Sequence, residues 1–159
     1  MIYPSGLPGL LATYGNPWPY LEDKRAWEDL ILATRPLRYP LPYAYDRVIE
    51  VKTIRAHKLV VDALVEILAH AIEAGIEPGR ISYGGCYVWR AKRGGTRLST
   101  HTWGVAIDLD PARNPLGKAH DPAFGLPMKV VELFEDAGWT AGARWDRPDP
   151  MHFQAAESY

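Results

Sequence analysis

Six residues, Val105-Ala106-Ile107-Asp108-Leu109-Asp110, limit the folds open to this chain more than any other stretch. Val105, Ile107 and Leu109 point one way, and Ala106, Asp108 and Asp110 the other, which is the period of a half-buried strand. A carboxylate fixed among packed apolar neighbours is costly unless it has a partner, so Asp108 requires one. His101 lies at an odd offset from Asp108, which on a straight strand would turn it to the opposite face. Gly104 permits a bend between them. A helix would also bring these two positions to one face. Gly104, the β-branched Val105 and Ile107, and Pro111 argue against one.

A second stretch near the C-terminus, Asp149-Pro150-Met151-His152-Phe153-Gln154, offers another imidazole with an acid just before it. Catalytic zinc takes three protein ligands and keeps a further position for water. His101, Asp108 and His152 make such a set. Taken alone, His101 reads equally well as a loop histidine in a hydrogen bond. Asp110 reads as a turn residue before Pro111. Asp149 is placed either to cap a turn between Pro148 and Pro150 or to exchange protons with a water at the metal. Met151 and Phe153 alternate with His152 and Gln154 and are assigned to packing. Arg90, at the end of an expected strand, could polarise a carbonyl; beside Lys92, Arg93 and Arg97 it also reads as a surface residue. His57 is read as half-buried near the stripe of a long helix, His70 as exposed on that helix, and His120 as solvated.

The surrounding pattern predicts mixed α and β structure. Residues 1–20, rich in Pro, Gly and Tyr, are expected to be an irregular arm. A short helix is expected within Leu21–Thr34, and the proline-dense residues 36–45 are expected to be irregular. The longest helix is predicted from about Thr53 to Ala74 on the stripe Ile54, Val61, Leu64, Val65, Leu68 and Ile72, with Gly75 as its stop. Ile81–Arg90 reads as a strand broken by Gly84-Gly85, and residues 111–127 as a long loop. Pro127 opens a second helix, Met128–Ala137, closed by Gly138. Trp139–Ala141 and Met151–Gln154 are expected short strands. The division is an arm over residues 1–45, packed on a domain over residues 46–159.

The net charge of −1 gives no sign of electrostatic capture of nucleic acid or anionic lipid. The single cysteine, Cys86, excludes an intrachain disulfide and a four-thiolate zinc site. The first residues lack the basic start and apolar run of a secretory signal, and no stretch reaches transmembrane length. The expectation is a monomer made in the cytoplasm, without affinity for membrane or nucleic acid.

Together, Ser99-x-His101-x-x-Gly104-x-Ala106-x-Asp108 and Asp149-Pro150-Met151-His152-Phe153 resemble the M15 zinc peptidases of peptidoglycan. These include the VanY- and VanX-type D,D-peptidases and the L-alanyl-D-glutamate endopeptidases of phage endolysins. The resemblance covers roughly residues 80–155. It implies an α+β fold in a single domain, with a small antiparallel sheet carrying the ligands and helices behind it. It implies one Zn2+ held by His101, Asp108 and His152. Asp149 takes the place of a general base that is often glutamate, and Arg90, in Tyr87-Val88-Trp89-Arg90, that of the arginine stabilising the transition state. Ser99, Trp103 and Trp145 are the expected substrate contacts, although core packing accounts for the tryptophans equally well.

The implied activity is hydrolysis of an amide in the peptidoglycan stem peptide. The leading expectation is an L-alanyl-D-glutamate endopeptidase of a phage or prophage, reaching the wall by holin-type release. The alternative on the same residues is a D-alanyl-D-alanine carboxypeptidase. A different class, a wall-binding or virion module without catalysis, would be suggested by loss of the base, and Asp149 is present.

Overall fold

The site-bearing strand sits in the middle of a mixed sheet. A computed structural model describes residues 2–159. In chain order the elements are α1 (Gly6–Tyr14), α2 (Lys24–Ile31), β1 (Leu32–Tyr43), β2 (Asp46–His57), α3 (Val61–Glu73), β3 (Tyr83–Gly85), β4 (Ala106–Leu109), α4 (Met128–Asp136), β5 (Thr140–Ala141) and β6 (His152–Gln154). The sheet order is β2-β1-β3-β4-β6-β5. Only the β1–β3 contact is parallel. The fold is therefore α+β and mostly antiparallel, with α3 packed on β1, β2 and α4.

Four expectations are corrected. The N-terminal residues are not irregular: α1 sends Leu10 and Tyr14 into the core, and a 3-10 turn follows at Trp18–Tyr20. The proline-dense segment is strand β1. Over most of its length β1 pairs only with β2, and with β3 only at Tyr43. A strand with one free side tolerates prolines whose missing N–H falls there, and the register shift between Pro36 and Leu41 absorbs the rest. The predicted long helix begins too early, since Thr53 to His57 belong to β2 and helix starts only at Val61. Ile54 and Ala56 are buried and Arg55 is exposed, so the local period is two. The expected strand over 81–90 is confined to Tyr83–Gly85. By contrast, β4, α4 and the stops at Gly75 and Gly138 lie where predicted.

The core is continuous from the N-terminal helices to the last strand. Trp27 of α2 is fully buried and donates its indole N–H to Thr102 O at 2.8 Å. Trp103 donates to Gly15 O at 2.9 Å. The Tyr14 hydroxyl donates to Ala155 O at 2.6 Å. The N-terminal residues thus buttress the turn that carries His101 from behind. Phe134 of α4 stacks on Phe153 of β6 with centroids 4.1 Å apart, on the side of β6 away from His152.

Candidate active site

Strand register brings the first two site residues together. In the antiparallel ladder of β4 and β6, Asp108 lies directly opposite His152, and Ile107 opposite Phe153. Side chains opposite one another share a face, so the carboxylate and imidazole meet while Ile107 and Phe153 enter the core. Asp108 Oδ1 stands 3.0 Å from His152 Nδ1.

His101 arrives from a 3-10 turn, Thr100–Trp103, capped by the Ser99 side chain, which accepts from His101 N. Gly104 ends the turn in the left-handed region, φ 66°. A Cβ there would stand 2.7 Å from Leu32 Cδ2 and 2.9 Å from His57 N, so both the turn and the space require glycine. This is the bend anticipated between His101 and Asp108. It leaves His101 Nε2 at 3.3 Å from Asp108 Oδ1 and the two imidazole rings 5.1 Å apart.

The far nitrogen of each ring is held, which fixes how the near one is presented. His101 Nδ1 lies 2.7 Å from Cys86 O, and a carbonyl only accepts, so the proton is on Nδ1 and Nε2 is left bare. That Nε2 is buried and has no hydrogen-bond partner. His152 Nε2 lies 3.1 Å from Gln154 Oε1. Gln154 donates its amide to Ala156 O, and Thr100 Oγ1 donates to Gln154 Oε1, which orients that oxygen toward the ring. The Nδ1 lone pair of His152 therefore faces Asp108. Ligand atoms of His101, Asp108 and His152 fall within 4.8 Å of one another. Two bare imidazole nitrogens and a carboxylate, one nitrogen orphaned, are a donor set that fits a single divalent cation. Burial pushes the Asp108 carboxyl up, but the imidazoles against it prevail and hold it well below the ordinary carboxylate range. Burial pushes the His152 imidazole down, but Asp108, with Asp149 and Gln154, together outweigh it and hold the ring above its ordinary value.

A cavity of about 440 Å³ opens on this cluster, with Asp149, Trp145, Ser99 and Arg90 in its wall. Asp149 is held by its N–H to Gly142 O at 2.9 Å, and its Oδ1 is buried without a partner. Burial raises its carboxyl above the usual value; His152 opposes this and Asp108 adds to it. The Trp145 ring lies 5.4 Å from that of His152. Arg90 and Asp108 also line a second cavity of about 150 Å³, bordered by Tyr45 and Gly84.

Of the eight residues singled out in sequence, six line the larger cavity and His101 borders the smaller one beside Asp108. Trp103 does neither: it is fully buried, bonded to Gly15 and edge-on to Tyr159 at 5.7 Å, so it packs the core and touches no cleft. Sequence reasoning passed over Thr100 and Gln154. Their signal was present, since Gln154 shares the face of His152 two residues on, and Thr100 adjoins His101. Arg147 received no assignment and Lys92 and Arg93 were noted only as neighbours of Arg90, yet all three line the larger cavity. His57 closes β2 rather than lying on a helix, and His120 is tied to Leu126 O at 2.7 Å rather than solvated.

Residues 93–155 match a family model described as D-alanyl-D-alanine carboxypeptidase, of the M15 peptidases. No curated protein and no solved structure matches the chain. No helix among the described residues is long and apolar enough to cross a membrane. The matched segment, about two fifths of the chain, spans His101, Asp108, Asp149 and His152 and is similar to the M15 peptidases, and the α+β sheet that presents these residues is consistent with the fold of that family.

Proposed function

We propose that this protein is a zinc-dependent amidohydrolase of the peptidoglycan stem peptide, acting as an L-alanyl-D-glutamate endopeptidase. The observation that carries the reading is the convergence of His101, Asp108 and His152, each imidazole tethered through its other nitrogen, beside a partnerless Asp149 carboxylate. A zinc ion, when bound, supplies Lewis acidity that brings the pKa of a water to about 7. Cys86 O and Gln154 Oε1 keep the two imidazoles in the tautomers that coordinate. Asp149 accepts a proton from the attacking water and delivers it to the leaving amine, a role suited to a carboxyl whose proton affinity burial has raised. Arg90 lines the cleft, and its guanidinium receives the charge that develops on the carbonyl oxygen. Trp145 and Ser99 flank the peptide. Endopeptidase action is favoured because Asp108 borders cavities on two sides, leaving room for residues before and after the scissile amide.

The family description favours a second reading, a D-alanyl-D-alanine carboxypeptidase working with the same residues. Mass spectrometry of defined muropeptides after digestion separates the two. Stem peptides lacking their first alanine mark the endopeptidase, and loss of a terminal alanine marks the carboxypeptidase. Zinc should co-purify at one ion per chain. Asp149→Ala should keep that ion and lose roughly 10²- to 10⁴-fold in rate, while Asp108→Ala should lose the ion itself. Stoichiometric zinc with no product from any muropeptide would leave a wall-binding module in place of an enzyme.

A further inference from the structure

Asp108 stands between two cavities of unequal size, about 440 Å³ on the side of His152 and about 150 Å³ on the side of His101. The smaller one has a floor without side chains. Gly85 pairs with Asp108 across β3 and β4, and a Cβ on Gly85 would meet nothing within 4 Å. Gly84 lies closer still, since a Cβ there would stand 2.8 Å from Asp108 O. Glycine within a strand marks a place where a ligand or another backbone comes near. A volume of this size elsewhere admits a group about as large as benzene, so it holds one small residue and not a run of several.

The outer rim of this cavity is apolar. Tyr45, 66% exposed, lines it from the turn between β1 and β2, and Val88, 43% exposed, from the segment after β3. The turn is tied down: Ala44 N donates to Tyr83 O at 2.9 Å, Tyr43 pairs with Tyr83, and the Arg47 guanidinium donates to Gly79 O. The Tyr43 and Tyr45 rings meet at 5.4 Å and 69°, which steadies the exposed ring. A tyrosine held in water at the mouth of a cleft offers a large, stiff, amphipathic surface at little entropic cost.

A stem peptide has the same asymmetry about its alanyl–glutamyl amide. On one side the chain continues through several residues. On the other stands a single alanine, joined through a lactyl group to a sugar ring. A cavity for one small residue, with an aromatic plate outside it, matches that second side.

We infer that Tyr45 stacks on the sugar ring that carries the stem peptide, with the first alanine in the glycine-floored cavity, so that the protein takes peptide still attached to its glycan in preference to free peptide. This placement rests on the endopeptidase reading above.

The test measures binding to the full zinc-loaded chain carrying Asp149→Ala, with hydrolysis by the chain that keeps Asp149 followed in parallel. Two ligands are compared: a disaccharide-linked stem peptide, and the same peptide without sugar, its first alanine N-acetylated so that no charge is added. Calorimetry should show the sugar-bearing ligand bound roughly five- to tenfold more tightly, the size of one aromatic contact. Adding Tyr45→Ala should erase that preference and leave the affinity for the acetylated peptide unchanged. Tyr45→Phe should keep it, which separates loss of the ring from loss of the fold. Equal affinity for the two ligands, or a preference that survives Tyr45→Ala, overturns the sugar contact even where hydrolysis leaves the first alanine on the sugar. A preference that depends on Tyr45, with only a terminal alanine released, keeps the contact and overturns the endopeptidase reading.

Discussion

Replacing Gly104 by alanine tests whether the bend before β4 holds the site together. Two costs add. An L-residue held in the left-handed region loses roughly 1–2 kcal/mol. The new methyl group would also stand 2.9 Å from His57 N, a backbone atom that cannot swing aside, and 2.7 Å from Leu32 Cδ2. Forcing a carbon into a packed site costs about 1–3 kcal/mol more. The sum, about 2–5 kcal/mol, is a large share of the 5–15 kcal/mol that ordinarily separates folded from unfolded chains. Gly75 is the internal control. It is also left-handed, φ 89°, but a Cβ there meets nothing within 4 Å. Gly75→Ala should therefore cost only the backbone part. The assay is equilibrium urea denaturation of both variants with chelator present, so that metal affinity does not enter. Because the displaced backbone carries His101, Gly104→Ala should also weaken zinc binding, whereas Gly75→Ala should not. Equal destabilisation by the two substitutions would refute the close-approach argument.

Three further outcomes follow from the same coordinates. Gln154→Leu, which removes the acceptor at His152 Nε2, should weaken zinc affinity by about 10- to 100-fold; isothermal titration showing unchanged affinity would remove Gln154 from that role. His57 is 2% exposed and its pKa is lowered by burial to about 4, so the folded state resists a proton that the unfolded chain accepts near 6.5. Stability should thus be full above pH 6.5 and fall by about 2–3 kcal/mol as the pH drops toward 4. His57→Gln should flatten that segment of the pH–stability curve, and an unaltered slope would assign the loss to other groups. Tyr14→Phe, which deletes the bond to Ala155 O, should cost about 1 kcal/mol in urea denaturation; no measurable loss would show that the N-terminal helix is held by apolar contacts alone.

What the sequence disclosed was local. The alternation around Asp108 identified β4, Gly104 announced the turn, and Pro127 with Gly138 bracketed α4, because each signal acts within a few residues of its effect. The hairpin of β1 and β2 was concealed because its prolines are tolerable only on a strand with one unpaired side, which is a property of the sheet and not of the segment. Helix spacing and strand alternation coincide at Ile54, so the stripe running on through Val61 and Leu64 drew the helix boundary too far back. The imidazole and carboxylate set was readable from residue types. The tethers at Cys86 O and Gln154 were not, since a carbonyl carries no signature and a glutamine gains meaning only once its neighbour is known to be a ligand. Arg147 was unreadable for a related reason: an exposed arginine is ordinary until the cavity it lines is known.

The pairing of Asp108 with His152 has a consequence for how this site can vary. Side chains alternate along β6, so sliding it by one position would exchange the imidazole for the Phe153 ring and expel the aromatic stack on Phe134. No intermediate slippage exists, because a ladder moves only in whole residues. Metal chemistry and core formation are thereby locked to a single alignment, and neither can drift without the other. Residues 91–98, bridged between Ala91 and Leu98, and the loop bearing Arg147 carry no such double duty and are free to vary without disturbing either.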